Sequence, residues 1–219
     1  AMQHAVYDEQ LHAVLAGGAS IEEAYWELVV VDIVDALAVL RPVYDASGGA
    51  DGFVSVEVDP RLAHDTVGTV EAARALHRRI DRPNLLVKVP ASEAGVVAIE
   101  QLVAEGISVN ATLIFSLQRY REVIKAYIDG VKQAKANGHD ISKIHSVASF
   151  FVSRVDLEID KRLVAVGTDE AIALKSKSAL ANARLAYQVF EQEFNNADWA
   201  ALEAAGANKQ RPLMASTGV

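Results

Sequence analysis

A lysine inside a short apolar run is the feature that most constrains the fold of this chain. The run LLVKV spans residues 85–89, and residues 108–115 form a second run in which small or polar residues alternate with apolar ones. The segment between them is rich in alanine and valine at helical spacing and closes at Gly106. A strand, a helix and a strand within about thirty residues predict a parallel βαβ unit, whose strands are apolar because both of their faces are covered. A lysine in such a strand therefore needs a partner or a function.

Two interpretations of Lys88 follow from its position in the run. An amine that an apolar pocket keeps partly neutral is a nucleophile and can form a Schiff base with a carbonyl compound. Alternatively, the side chain extends its ammonium group from a strand end into solvent, or it belongs to a structural ion pair. The run alone does not separate these interpretations, so the neighbouring strands have to.

The rest of the chain repeats the alternation of strand and helix. Besides the helix of the βαβ unit, helices are predicted over residues 2–16, 20–45, 66–80, 116–136, 168–194 and 199–204 and after Arg154, and strands over residues 53–59, 85–89, 108–115, 144–152 and 212–217. The sequence Ser20-Ile21-Glu22-Glu23 has the form of a capping box at the start of the second helix. Five strands alternating with helices predict an α/β fold with a parallel sheet, as a doubly wound fold or as a barrel.

Polar side chains near the carboxyl ends of four successive strands favour the barrel. Side chains of like parity share one face of a strand, which groups Ser55 with Glu57 and Asn110 with Thr112. In an open sheet, helices would cover these groups on either face. In a (β/α)8 barrel they converge on the axis, at the mouth where active sites lie. The polar set consists of Ser55, Glu57, Lys88, Asn110, Thr112 and Ser149.

This set can act on a polyhydroxylated carbonyl compound. Lys88 would capture the carbonyl group, and Glu57 would tune the amine or order a water molecule. Arg154, just past a strand end, could hold a phosphate group in a forked contact. Hydrogen bonds to the substrate would come from Asn110, Thr112 and Ser149.

Structural alternatives remain for the same residues. Glu57 and Lys88 could form an ion pair between adjacent strands with no catalytic role. Asn110 and Thr112 could be hydrogen-bonded polar residues of the core. Arg154 could be a solvated residue at the start of a helix.

Composition excludes several classes of function. With 219 residues, 51% of them hydrophobic, the chain can bury the core of one domain. A net charge of −8 argues against broad nucleic-acid binding, and the absence of cysteine excludes disulfides and cysteine-based metal sites. The histidines lack metal-ligand spacing. Neither of the glycine-rich nucleotide-binding motifs, GxGxxG and GxxxxGK(S/T), is present. No run has membrane-spanning length and no signal peptide is apparent, so we expect a cytoplasmic protein without membrane contact.

Five motifs together resemble the transaldolases, in particular the longer bacterial subfamily common in actinobacteria. They are VSVEVDPRLAHDT (54–66), NLLVKVPAS (84–92), GISVNATLIFSLQRY (106–120), SVASFFVSRVD (146–156) and QRPLMASTGV (210–219), which extend over most of the chain. The resemblance implies a class I aldolase type of (β/α)8 barrel. It also implies the transfer of a dihydroxyacetone unit from a ketose phosphate, such as sedoheptulose 7-phosphate, to an aldose phosphate. That reaction belongs to the non-oxidative pentose phosphate pathway and uses no metal or organic cofactor.

The resemblance also implies a role for each candidate residue. Lys88 matches the lysine that forms the Schiff base with the donor. The other residues match three kinds of position: those that place the catalytic water (Glu57 and Thr112), those that hold the hydroxyl groups of the donor (Asn110 and Ser149), and those that bind the sugar phosphate (Arg154 and Ser216).

The sequence departs from the family pattern in what it lacks. The family carries an aspartate acid/base on its first strand and a threonine- and asparagine-rich motif on its second, and neither is apparent here; the eighth strand and a basic residue expected beyond Val219 are also missing. We therefore expect residues 1–219 to form one barrel domain with about five of eight strands, truncated at both ends. We expect it to have little or no transaldolase activity alone and to associate with further copies through its open strand edges. A sugar-phosphate aldolase and an inactive sugar-phosphate-binding module are the alternative functions.

Overall fold

Five strands alternate with nine helices over residues 5–216, the part of the chain that this computed structural model describes. The strands are β1 (Val54–Glu57), β2 (Leu85–Pro90), β3 (Val109–Ile114), β4 (Ser146–Phe151) and β5 (Arg211–Ala215). The helices are α1 (Asp8–Ala16), α2 (Ile21–Ala46), α3 (Thr66–Ile80), α4 (Glu93–Ala104), α5 (Leu117–Ala136), α6 (Ser153–Val166), α7 (Asp169–Ile172), α8 (Ser178–Phe194) and α9 (Ala197–Ala204). Short 3₁₀ turns occur at Ala5–Tyr7, Pro60–Leu62 and Ile141–Lys143.

The strands form one sheet in which neighbours in sequence are neighbours in space, in the order β1-β2-β3-β4-β5. The pairs β2–β3, β3–β4 and β4–β5 are parallel. A doubly wound sheet reverses its strand order at a switch point, whereas the strands of a (β/α)8 barrel follow one another without reversal. The parallel α/β sheet predicted from the sequence is confirmed, and its strand order is that of the barrel.

The chain divides into two compact units. The first comprises the chain up to Val56 together with His77–Leu85, and the second comprises Glu57–Leu76 and the chain from Leu86 onward. In the first unit, the buried Asn84 donates hydrogen bonds from Nδ2 to the carbonyl oxygens of Leu37 (3.1 Å) and Gly52 (2.9 Å). These bonds tie the second half of α2 and the loop after it to the turn before β2.

The second unit holds the predicted site, and its largest interface joins α4 to α5. Buried side chains of both helices, among them Ile99, Leu102 and Ile124, form its core. Ser92 caps α4 by accepting a hydrogen bond from the backbone N–H of Gly95. A Cβ atom at Gly95 would lie 1.8 Å from the carbonyl oxygen of Pro90, so only glycine permits α4 to begin so close to the end of β2.

Most predicted elements occur with shifts of one to three residues at their ends. The capping box of Ser20 and Glu23 is present, and Ser116 caps α5 as predicted. The first helix was predicted from residue 2; within the described residues, α1 begins at Asp8 after a 3₁₀ turn. The last strand was predicted to residue 217, which lies outside the described residues; β5 ends at Ala215.

The single helix predicted over residues 168–194 is wrong. Thr168 caps a short α7, and a separate α8 begins at Ser178. Between them Ser176 adopts a left-handed backbone (φ 58°), and its N–H donates to the carboxylate of Asp160 at 3.0 Å. Asp156 accepts from the N–H of Ala179 at 2.8 Å and so caps α8. Both acceptors lie on α6, so the break depends on contacts that helical periodicity cannot reveal.

No helix within residues 5–216 combines the length and the apolar character needed to cross a membrane.

Candidate active site

The seven predicted site residues all lie in the second unit, and the strand register brings four of them close together. In the β2–β3 pair, Lys88 stands opposite Asn110 and Pro90 opposite Thr112. In the β3–β4 pair, Asn110 stands opposite Val147, two residues before Ser149. Because side chains alternate along a strand, Lys88, Asn110, Thr112 and Ser149 emerge on the same face of the sheet.

Lys88 forms an ion pair with Glu57, with 3.2 Å between Nζ and Oε2. The side chains are 29% and 39% exposed, whereas Val87 and Val89, the neighbours of Lys88 in β2, are fully buried. A pair with this exposure contributes only about 0–1 kcal/mol to folding. The contact fits the structural alternative, and it also provides what a nucleophilic amine needs, which is a proton acceptor within hydrogen-bond reach.

Asn110 and Ser149 form a buried hydrogen bond across β3 and β4. The Ser149 hydroxyl donates to Oδ1 of Asn110 at 2.8 Å, and the two residues are 2% and 5% exposed, respectively. A buried hydroxyl and amide joined to each other present fixed polar groups to whatever occupies this face. The pair can therefore hold the hydroxyl groups of a sugar chain without rearranging.

Thr112 is fully buried, and its Oγ1 has no hydrogen-bond partner among the described residues. Its backbone carbonyl is held by the N–H of Ala91 at 2.7 Å. A buried hydroxyl without a partner costs about 1–3 kcal/mol. Such groups are uncommon in native structures, and a bound water or substrate would satisfy this one.

Arg154 and Ser216 lie where β4 and β5 end. The carbonyl of Ser216 accepts from the N–H of Ser153 at 2.7 Å, and the hydroxyls of the two serines are 2.8 Å apart. Ser216 has a left-handed backbone with φ 55°, which is unfavourable for a residue other than glycine. The exposed Arg154 places its guanidinium carbon 4.8 Å from the centroid of the Phe151 ring, a cation–π contact.

Sequence reasoning missed two residues that support this group. Ser153 bonds Ser216 through backbone and side chain. Its position next to Arg154 in the sequence was the only signal for it. Phe151, beneath Arg154, is 7% exposed and has the parity of Ser149, so the same alternation that selected Ser149 could have identified it. Its ring also lies 5.2 Å from that of Phe115.

The whole sequence, residues 1–219, matches the family model described as transaldolase/fructose-6-phosphate aldolase. Over 213 residues, which are 97% of this chain, it is 59% identical to Transaldolase 2 of Streptomyces coelicolor and 59% identical to the transaldolase of Thermobifida fusca. It is 54% identical over the same length to the transaldolase of Mycolicibacterium smegmatis. The matched region is 57%, 58% and 57% of these relatives, so the chain spans somewhat more than half of their length. The family model and the identities agree, and the chain belongs to the transaldolase/fructose-6-phosphate aldolase family.

Proposed function

We propose that this protein carries out transaldolase chemistry, in which Lys88 forms a Schiff base with a ketose phosphate and a dihydroxyacetone unit passes to an aldose phosphate. The observation that carries the proposal is the Lys88–Glu57 pair, 3.2 Å apart, in a sheet whose next strands bear the Asn110–Ser149 pair. The relatives named transaldolase support the same assignment. The donor and acceptor are then sugar phosphates, and the reaction belongs to the non-oxidative pentose phosphate pathway.

The first step joins Lys88 to the donor. Glu57 accepts a proton from the ammonium group, and the neutral amine attacks C2 of the ketose. A proton then passes from the nitrogen to the former carbonyl oxygen, which becomes the hydroxyl of a carbinolamine. This carbinolamine then loses its hydroxyl as water, with a proton from the Glu57 carboxyl, and an iminium bond remains. The Thr112 hydroxyl holds that water on the Lys88 face of the sheet.

The second step breaks the C3–C4 bond. The electron pair of the bond moves into the iminium and gives an enamine, while the C4 hydroxyl loses its proton and leaves as the aldehyde of the shorter sugar phosphate. The enamine then attacks the aldehyde of the acceptor, whose oxygen takes up the proton that the C4 hydroxyl lost. Water hydrolyses the new iminium to release the product and the Lys88 amine. The resemblance assigns removal of the C4 proton to a family aspartate with no counterpart among the motifs matched in this sequence.

Substrate binding divides between two groups of residues. Asn110 and Ser149 bind the hydroxyl groups of the dihydroxyacetone part, because they are fixed by their mutual hydrogen bond. Arg154 and Ser216 bind the phosphate, for which a guanidinium group provides a forked, charge-assisted contact. On a protein with a net charge of −8, such a local positive charge is needed to attract an anionic substrate. A cytoplasmic location fits this chemistry and the absence of cysteine.

We also propose that the protein forms a homo-oligomer. Within residues 5–216, β1 and β5 are the outer strands of the sheet, and an outer strand leaves backbone hydrogen-bonding groups open on one side. Light scattering should find a dimer or larger species, and a wild-type monomer at high concentration would contradict the proposal.

A sugar-phosphate aldolase is the second candidate, because the family description itself includes fructose-6-phosphate aldolase. The two activities share the steps up to the enamine. In the aldolase a proton quenches the enamine and dihydroxyacetone is released, whereas in the transaldolase an acceptor aldehyde captures it. Product analysis with and without erythrose 4-phosphate separates them: transfer requires the acceptor, and free cleavage does not. An inactive binding module would bind the sugar phosphate without a covalent adduct.

The proposal is tested by borohydride reduction in the presence of fructose 6-phosphate, followed by peptide mass mapping. Reduction should leave the sugar on the peptide that contains Lys88. A three-carbon adduct would show that the C3–C4 bond was cleaved, and an intact hexose phosphate adduct would show Schiff-base formation alone. Lys88→Met should abolish the adduct, whereas Lys125→Met, which alters an exposed lysine paired with Asp129, should not. No adduct on the wild-type peptide at saturating sugar would defeat the Schiff-base proposal.

A further inference from the structure

Strand β3 contains a bulge immediately after Thr112. Ala111 pairs with Ala148, and the next pair joins Ile114 to Phe150. Two residues of β3, Thr112 and Leu113, therefore stand opposite the single residue Ser149. Bulges of this kind are frequent next to active sites, where they redirect a side chain.

Leu113 has a left-handed backbone, with φ 59°. For an L-residue this conformation brings Cβ close to a backbone carbonyl oxygen, and only glycine, asparagine and aspartate adopt it readily. Leucine has no polar group to compensate, and the residue is only partly buried, with 37% of its surface exposed. A strained residue persists where the surrounding structure imposes it, and such residues cluster at functional sites.

The bulge changes which face of the strand each residue occupies. Before it, Asn110 and Thr112 stand opposite Lys88 and Pro90 of β2 and share the site face. In a regular strand Ile114 would continue this series and point to the same face. Instead, Ile114 pairs with Phe150 and is fully buried on the other face, where the Phe150 ring contacts that of Tyr120 at 5.8 Å. The extra residue therefore keeps Thr112 on the site face and places Ile114 in the core.

The backbone at and after Thr112 is held in place by its neighbours. Its carbonyl accepts from the N–H of Ala91, and the chain after Leu113 is anchored by the buried Ile114. Between these anchors its Oγ1 is buried and has no partner within the described part of the chain. A hydroxyl held in this way is preorganised, because it needs neither to break a bond nor to rotate before it holds a ligand or water.

We propose that Leu113 is a positioning residue: its left-handed backbone holds the Thr112 hydroxyl on the face that carries Lys88 and Asn110. The inference rests on the proposed function, since it assigns the reason for the placement to Schiff-base chemistry. It concerns the backbone of residue 113 and not its leucine side chain. That distinction makes it testable, because substitutions can change one without the other.

The test compares substitutions that accept a left-handed backbone with substitutions that oppose it. Leu113→Gly and Leu113→Asn remove the apolar side chain but permit φ above zero. Leu113→Ala shortens the side chain and keeps the backbone preference of the wild-type leucine, whereas Leu113→Ile opposes φ above zero through its branched Cβ. The readout is the rate of borohydride-trapped adduct formation on Lys88 with fructose 6-phosphate. The glycine and asparagine variants should stay near the wild-type rate, whereas the isoleucine variant should be slowed by about tenfold or more, since small displacements of a catalytic group cost that much. The concentration of sugar giving half the maximal rate should not change, because Asn110 and Ser149 are untouched.

A second readout does not require activity. Hydrogen exchange at the Ala91 amide reports whether the Thr112 carbonyl is still in place. Protection should be retained with glycine, asparagine and alanine and reduced with isoleucine, and Leu113→Val, which is branched in the same way, replaces isoleucine if the latter does not fold. Equal protection in all variants, or a fast isoleucine variant beside a slow asparagine variant, would overturn the inference. If the wild type forms no adduct, the proposed function fails, and Leu113 is judged by exchange at Ala91.

Discussion

Both ends of the parallel strands carry buried polar side chains, but the hydrogen-bond partners of these side chains differ between the two ends. At the amino end, the Ser146 hydroxyl donates to the carbonyl of Val109 at 2.8 Å and accepts from Nε2 of Gln210 at 2.9 Å. Asn208 bonds the carbonyl of Ile144 at 3.1 Å in the same region. Ser146 and Asn208 thus donate to backbone carbonyls. Among the side-chain atoms of these residues, only Oε1 of Gln210 is buried without a partner within the described residues.

At the carboxyl end, three contacts of the candidate site involve side chains bonded to each other or to no described residue. Lys88 pairs with Glu57, Ser149 with Asn110, and Oγ1 of Thr112 has no described partner. Leu113 and Ser216, the two residues with φ above zero in or next to β3 and β5, also lie at this end. Polarity alone does not distinguish the two ends. The difference is that backbone bonds at the amino end complete the fold, whereas the carboxyl end keeps side-chain groups and strain that a substrate can use.

The largest expected effect is on catalysis at the carboxyl end. Glu57→Gln keeps the shape of the side chain but removes its ability to accept a proton from Lys88. Formation of the reducible adduct should slow by about a hundredfold or more, within the range for loss of a general base. The free energy of unfolding should change by less than about 1 kcal/mol, because the pair is partly exposed. Rapid-quench borohydride trapping and urea unfolding measure the two quantities. An adduct rate equal to that of the wild type would reduce the pair to a structural contact.

Removing a hydroxyl at the amino end should lower the free energy of unfolding and leave the adduct rate unchanged. Ser146→Ala takes one bond from the carbonyl of Val109 and leaves the buried Gln210 amide without its partner, which should lower the free energy of unfolding by about 2 kcal/mol. The adduct rate of the folded protein should be unchanged. Ser142→Ala removes an exposed hydroxyl bonded to Asp140 and is the matched control, with little loss expected. A large loss of activity in folded Ser146→Ala would contradict the division between the two ends.

Thr112→Val removes a hydroxyl that forms no hydrogen bond within the described residues. Valine keeps the branched shape, so the free energy of unfolding should stay the same or rise by about 1 kcal/mol once an unpartnered buried group is gone. The adduct rate should fall by about tenfold, because the water lost from the carbinolamine is no longer oriented. A destabilised Thr112→Val protein with normal adduct formation would mean that a buried water already satisfies this hydroxyl and serves the fold.

Local rules account for most of the architecture. Alternation predicted that Asn110 and Thr112 share one face of their strand, and the barrel hypothesis grouped them with Lys88 and Ser149. Capping chemistry located the starts of α2 and α5. The barrel prediction is confirmed by the unreversed strand order together with membership of a family with that fold. The catalytic and binding roles of the seven residues, and the truncated single domain, stay predictions.

What the sequence could not reveal depends on contacts between distant segments. The break between α7 and α8 follows from Asp156 and Asp160 of α6, which lie well before it in the chain. The Ser153–Ser216 contact joins residues 63 positions apart. The bulge at Leu113 is hidden for a different reason: period-two alternation correctly places Asn110 and Thr112 but continues into the wrong face at Ile114, because the inserted residue is set by pairing with β4.

The smallest expected effect is a pH dependence of stability from the amino end. Burial lowers the pKa of His145 below its ordinary value of 6.5, and repulsion from Arg211 lowers it further. The unfolded chain therefore binds a proton near pH 6.5 that the folded chain binds only at lower pH, so the stabilisation is complete above pH 6.5 and is lost as the pH falls toward the folded pKa. His77, whose pKa burial also lowers, acts in the same direction. Urea unfolding between pH 7.5 and 5.5 should show stability falling by at most about 1.4 kcal/mol per pH unit for each proton, and His145→Gln should reduce that slope. A slope unaltered by the substitution would mean that His145 is solvated in the folded protein and that the amino end is less closed than the hydrogen bonds of Ser146 and Asn208 indicate.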